Sequence, residues 1–155
     1  MRARDLEIVP MRIEDLDEVL EIERHGHPSP WSPQVFAEEL EREWARIDVL
    51  RERDASGTSR VVAFCNFWIV RDEIHILNVA THPDWRRRGH AARLLEHLLA
   101  FAHSTGCRYL TLEVRKSNVG ATALYQRFGF LPVGVRPQYY VENREDAIVM
   151  ALELE

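Results

Sequence analysis

The chain is poor in cysteine. Cys65 and Cys107 are its only two, they form no C-x-x-C pair, and both stand among apolar neighbours. Neither a disulfide framework nor a structural zinc site fits that pattern, and both thiols read as small buried hydrophobes. The seven histidines are scattered, with no two on one helical turn beside a carboxylate, so no metal is expected. Long hydrophobic runs are also lacking. The longest, VVAFCNFWIV at 61–70, is interrupted by Asn66 and is half of the roughly 20 residues a membrane helix requires. The opening stretch MRARDLEIVP has no apolar core of the kind a leader carries. These absences point to the cytoplasm and away from a membrane partner. Positive charge is not in excess either: 20 basic against 25 acidic residues give −5, which does not suit a chain that coats nucleic acid or anionic lipid. There is no linker, repeat or low-complexity segment. Residues 1–155, 46% hydrophobic, therefore read as one domain long enough to bury a substantial core.

Periodicity supplies the elements. A short strand at 6–9 ends at Pro10, and a helix follows over about 14–24 with Leu16, Val19, Leu20 and Glu23 at helical spacing. After the turn-rich HGHPSP, Ser32-Pro33 opens a second helix running to about Glu43, since a serine cap and a proline in the first turn both suit a helix start. Strands are expected at 46–53 and 60–71, joined by DASGTS, and at 74–81. The clearest helix carries Ala91, Leu94, Leu95, Leu98, Leu99 and Ala102 on one face and stops at Gly106. RYLTLEVR (108–115) alternates as a strand, a helix covers 119–128, and strands near 131–136 and 146–154 close the chain. The order β-α-α-β-β-β-α-β-α-β-β predicts an α/β fold: a central mixed, partly antiparallel sheet flanked by helices, with one β-α-β unit.

That unit contains the question the chain poses. Arg86, Arg87, Arg88 and Gly89 stand directly before the amphipathic helix. A solvated loop, a nucleic-acid grip and a phosphate cradle are all open readings. The physical case for the cradle is a helix N-terminus with free N–H groups and positive dipole end, small residues at Gly89 and Ala91, and arginines for charge-assisted contacts. Neither a Walker loop nor a G-x-G-x-x-G fingerprint is present.

RRRGHA, with Arg86, Gly89 and Ala91 on the pattern [QR]-x-x-G-x-[GA], resembles the acetyl-CoA signature of the GNAT N-acetyltransferases. The resemblance runs from about residue 6 to 152. Within that superfamily the stretches PWSPQVF, LNVATHPDWRRRGHAARLLEHLL, LEVRKSNVGATALYQRFGF, RPQYY and EDAIVM are most similar to the RimI-type enzymes, which acetylate the N-terminal alanine of a small-subunit ribosomal protein. The HGHPSPWS segment departs from them and borders the expected acceptor site.

The resemblance implies acetyl-CoA as co-substrate, a protein N-terminus as partner, and a monomer or weak dimer. It makes Glu113 the general base and Tyr125 the acid that protonates the coenzyme A thiolate. Backbone groups of Val79, Ala80 and Thr81 would hold the pantetheine arm, and Arg87, Arg88, Gly89, His90, Ala91 and Ala92 the pyrophosphate. Asn118 would touch coenzyme A, while Trp31, Tyr139 and Tyr140 would border the acceptor, with RPQYY as a loop forming one wall. Each has a plainer alternative: a solvent-facing strand glutamate, a core tyrosine, a helix cap at Asn118, and core aromatics before a last strand. Other functions remain open at this level: acetylation of a lysine, polyamine or small-molecule amine, or a non-catalytic acetyl-CoA-binding module.

Overall fold

A computed structural model describes residues 5–155. Residues 1–4, the start of the stretch read as lacking a leader's apolar core, lie outside the described residues. The elements are β1 (Leu6–Pro10), α1 (Leu16–Gly26), α2 (Pro33–Glu41), β2 (Ala45–Arg53), β3 (Ser59–Val70), β4 (Glu73–Thr81), α3 (His90–Thr105), β5 (Tyr109–Arg115), α4 (Val119–Arg127), β6 (Leu131–Tyr140) and β7 (Glu145–Glu153). Their order is the one the periodicity predicts. Short 3-10 turns at Ile13–Asp15 and Pro83–Trp85 lead into α1 and toward α3. The cap of α2 is as expected: Ser32 accepts from the Val35 N–H at 3.2 Å, with Pro33 in the first turn. No helix of the described residues is long and apolar enough to cross a membrane.

The sheet runs β1-β2-β3-β4-β5-β7-β6. Only β4 and β5 pair in parallel, because α3 crosses between them, and every other pair is antiparallel. Consecutive residues of β2 serve opposite faces. Leu50 joins a core of Leu94, Leu95, Leu98, Leu110, Leu112, Met150 and both cysteines under α3 and α4, whereas Val49 joins Val19, Leu20, Ile22 and Phe36 under α1 and α2. Both cysteines are buried and free, as their apolar setting predicts.

RPQYY is not a loop. β6 continues through it to Tyr140, which pairs with Glu145, and the irregularity falls between Arg136 and Tyr140, where Gln138 has φ +51°. The Gln138 N–H donates to Asp146 Oδ1 at 2.9 Å, and Pro137 is tolerated because β6 is the outer strand and the residue falls in its irregular stretch.

One feature of the sheet makes room for a site. β4 and β5 pair only from Glu73↔Tyr109 to Ile76↔Leu112. Leu77 is the extra residue of a bulge against β3, after which β4 stays with β3 (Asn78↔Asn66 to Thr81↔Ala63) and β5 stays with β7 as far as Arg115↔Ala147. Each strand keeps its outer partner and the two part company, as bulges near sites often arrange.

Candidate active site

A cavity of about 750 Å³ occupies the gap between the parted strands. One side is β4 from Leu77 to Thr81, which includes Val79, Ala80 and Thr81. Their backbone groups on the β5 side have lost their ladder partners and are available to an extended ligand. At one end lies the arginine–glycine turn. Arg87 (φ +65°) and Gly89 (φ +78°) both adopt left-handed torsions, folding the chain back so that α3 begins at the cavity. Arg86, Arg87, Gly89, His90, Ala91 and Ala92 line it. Arg88 does not. Its guanidinium turns toward buried Glu52, 3.7 Å away, and its carbonyl accepts from Arg93 Nη1 at 2.7 Å, which braces the turn. Burial pushes the His90 imidazole toward its neutral form, Glu52 opposes this, and Arg93 and Arg88 reinforce it.

Glu113 stands on β5 where the gap opens, with a side chain only 11% exposed, so the solvent-facing alternative does not describe it. Its Oε2 lies 3.0 Å from His75 Nε2 and its Oε1 3.4 Å from Arg136 Nε. His75 Nδ1 is in turn 3.0 Å from Thr111 Oγ1. Sheet register explains the convergence. His75 is opposite Thr111, Arg115 is opposite Ala147, and Ala147 is opposite Arg136, so these side chains share one face and Arg136 reaches across the small Ala147. The hydrogen bond from His75 holds the Glu113 carboxyl below the usual carboxylate range. Burial works against this, and the charges of His75 and Arg136 add to it.

Tyr125 reaches the cavity from α4. It is buried, its ring meets Phe130 edge-on at 5.8 Å, and burial, with lesser contributions from Tyr140 and Cys65, pushes the phenol up to about 12. Core residue and cavity residue are thus one and the same side chain. Asn118 caps α4, its Oδ1 accepting from the Ala121 N–H at 3.1 Å, and the residue also lines the cavity.

Tyr139 and Tyr140 line the opposite end, ring to ring at 5.2 Å, with the Arg115 guanidinium 3.8 Å above Tyr140. Arg115 is itself fixed by Glu142 at 3.0 Å and Glu145 at 3.5 Å. Gly26 and His27, from the HGHPSP stretch, also line the cavity. Trp31 is not among the lining residues; it packs edge-on against Phe36 at 5.3 Å, over the core beneath α1 and α2. Sequence reasoning missed His75, Arg115 and Arg136. The signal for His75 was its alternation with Ile74 and Ile76, which places it on the other face of β4, but only register against β5 brings it to Glu113.

The scatter of histidines is linear only. Glu21 and His25 of α1 and His82 after β4 bring ligand-type atoms within 4.8 Å of one another. His82 Nδ1 accepts from the Asp84 N–H at 3.1 Å, and its Nε2 faces Glu21 Oε1 at 3.5 Å. Arg60 Nη2 holds the other oxygen of Glu21 at 3.0 Å. These contacts tie α1 to the start of the arginine turn.

The model of the Acetyltransferase (GNAT) family matches residues 16–130. The chain belongs to the GNAT acetyltransferase family. Its sheet order and flanking helices are the GNAT fold, it is an N-acetyltransferase, and the family uses acetyl-CoA. A Bacillus subtilis (strain 168) protein is 38% identical over 141 residues, covering 90% of each chain. The [ribosomal protein bS18]-alanine N-acetyltransferase of Escherichia coli (strain K12) is 36% identical over 142 residues, covering 90% of this chain and 92% of that one. The crystal structure of the ribosomal-protein-S18-alanine N-acetyltransferase from Escherichia coli superposes with a TM-score of 0.85, covering 97% of this chain and 94% of that one. In this GNAT chain the parted strands form the cavity, and the arginine–glycine turn lines it.

Proposed function

We propose that this enzyme transfers the acetyl group of acetyl-CoA to the N-terminal α-amine of a protein, the acceptor being the N-terminal alanine of a small-subunit ribosomal protein. The observation that carries the reading is a pair of groups at the parting of β4 and β5: a carboxylate kept ionised, Glu113, and a phenol kept protonated, Tyr125. Likeness over most of both chains to the Escherichia coli enzyme supports the choice of acceptor.

The residues present fit acetyl-CoA. Free N–H groups at the start of α3 and the guanidinium groups of Arg86 and Arg87 suit its pyrophosphate, and small Gly89, Ala91 and Ala92 allow close approach. The unpaired edge of Val79, Ala80 and Thr81 suits its pantetheine amides and offers an N–H to polarise the thioester carbonyl. The co-substrate supplies an activated acetyl group, and the rest of the chemistry falls to the protein's own side chains and backbone.

Glu113 receives the amine's proton, directly or through one water. A carboxylate of lowered pKa is a modest base, which matches an acceptor that needs little help. At pH 7 about a tenth of α-amines are neutral, against fewer than about one lysine in a thousand. As the nitrogen–carbon bond forms, the carbonyl electron pair moves to oxygen and is held by the β4 N–H. As that pair returns, the carbon–sulfur bond breaks and Tyr125 gives its proton to the departing thiolate. Tyr139, Tyr140 and the segment from Gly26 border the acceptor. A peptide with a free N-terminal alanine should be acetylated readily, and the same peptide with a blocked terminus and a free lysine poorly. Equal rates for the two in an initial-rate assay would refute the α-amine reading.

A further inference from the structure

We propose that Glu23 is the positioning residue of the acceptor site, fixing the 27–32 segment as a wall at a set distance from β4. This rests on the reading of the cavity as the acetyl-transfer site. Glu23 lies in the last turns of α1 and is 3% exposed. Its two oxygens are claimed by two different parts of the cavity's frame. Oε2 accepts from the backbone N–H of Trp31 at 3.0 Å, and Oε1 accepts from the side-chain amide of Asn78 on β4 at 3.0 Å.

The segment it holds has few means of attachment. Pro28 and Pro30 carry no N–H. At its start the His27 N–H bonds the Glu23 carbonyl at 3.0 Å, at its middle Ser29 stands beside the Glu142 carboxylate in the β6–β7 turn, and at its end Trp31 packs on Phe36. The segment therefore spans from α1 to the hairpin that carries Tyr139 and Tyr140. Gly26 and His27 at its root and Asn78 across from it all line the cavity.

Burying a carboxylate is costly, and an apolar side chain would fill the same space without that cost. What an apolar residue would not do is hold two donors from separate elements in one plane. Charge-assisted bonds are the stronger kind and are directional, so the carboxylate sets the spacing between the segment and the strand. An acceptor recognised at its terminus must fit that spacing, whereas acetyl-CoA contacts the far edge of β4 and the start of α3.

Glu23→Gln tests this without changing volume. The amide keeps one acceptor and turns a donor toward a donor. The Michaelis constant for an N-terminal-alanine peptide should rise at least about tenfold, while that for acetyl-CoA stays within about twofold and kcat is little changed. Adding Asn78→Asp restores complementarity, because the introduced amide can donate to the introduced carboxylate and still accept from Trp31. The double variant should recover most of the peptide's Michaelis constant and outperform either single variant, a coupling that a general loss of stability does not produce. An unchanged peptide constant in Glu23→Gln, a parallel rise in both substrates' constants, or no recovery in the double variant would each overturn the proposal. Amide exchange at Trp31, faster in Glu23→Gln and slowed again in the double variant, reads the anchoring without turnover. A wild-type enzyme inactive on the peptide would therefore refute the acceptor assignment separately.

Discussion

Glu113 is held as a carboxylate by His75 and Arg136, and the sign of that effect fixes the pH behaviour. Its folded pKa lies below the ordinary 4.5, so its ionised form is fully present above that value and is lost only as pH falls through the lowered one. Loss of kcat/KM on the acid side of neutrality must then come from the acceptor amine, which titrates near 7.7–8.0. A profile over pH 5.5–9 should rise with unit slope and level off above about 8, with no break from Glu113. Glu113→Gln should fold and bind coenzyme A while losing about 10²–10⁴ in turnover at pH 7, the deficit narrowing as the amine deprotonates unaided. Tyr125 is protonated throughout this range, since its phenol is pushed up to about 12 by burial. Tyr125→Phe preserves the packing against Phe130 and should lower kcat by about 10² at single-turnover conditions, with coenzyme affinity kept. A variant at wild-type speed would remove the phenol from the chemistry.

The arginine–glycine turn and α3 act as one element. Gly89 has φ +78°, and a Cβ there would meet nothing nearer than Arg93 Nη1 at 3.5 Å, so the obstacle to a side chain is torsional and lies in the ligand's space rather than in the protein's own packing. Gly89→Val should remain folded by circular dichroism and bind coenzyme A more than tenfold more weakly by calorimetry, about 1.4 kcal/mol or more. Elements were the legible part of the sequence. The leucine stripe of α3, the alternation of β5 and the Ser32-Pro33 start of α2 are each written in local periodicity or capping chemistry. The length of β6 was not, because Pro137 and Gln138 look like a loop until pairing to β7 is known. The partners of Glu113 were illegible for the same reason. They come from β4 and β6, and cross-strand register has no signature within either segment. Arg88 was placed in the pyrophosphate site by its neighbours in the chain, but buried Glu52, on a strand far away in sequence, draws its side chain aside.

At the scale of the molecule, the sheet must be rigid where the helices cover it and open where β4 leaves β5. Asp48 contributes to the rigid part. It is fully buried on β2, accepts from Arg46 Nε at 2.8 Å, and meets His97 of α3 at 2.7 Å. Burial opposes its charge, but the hydrogen bonds from His97 and Arg46 outweigh that and hold the carboxyl below its usual 3.8. The stabilisation is therefore present above about that pH and lost as pH falls through the lowered value. Asp48→Ala should lower the unfolding free energy at pH 7 by about 3 kcal/mol in urea titrations, at the low end for a broken buried pair because Arg46 and His97 stay partly solvated. The gap from wild type should close as the solution becomes more acidic than the folded carboxyl. The open part of the sheet is where acetyl transfer to an α-amine is assigned, and one peptide can test that. It carries a free N-terminal alanine and an internal lysine, is incubated with enzyme and acetyl-CoA at pH 7, and is read by tandem mass spectrometry. Acetyl on the terminal nitrogen with the lysine free is the predicted result; acetyl on the lysine with the terminus free would contradict it.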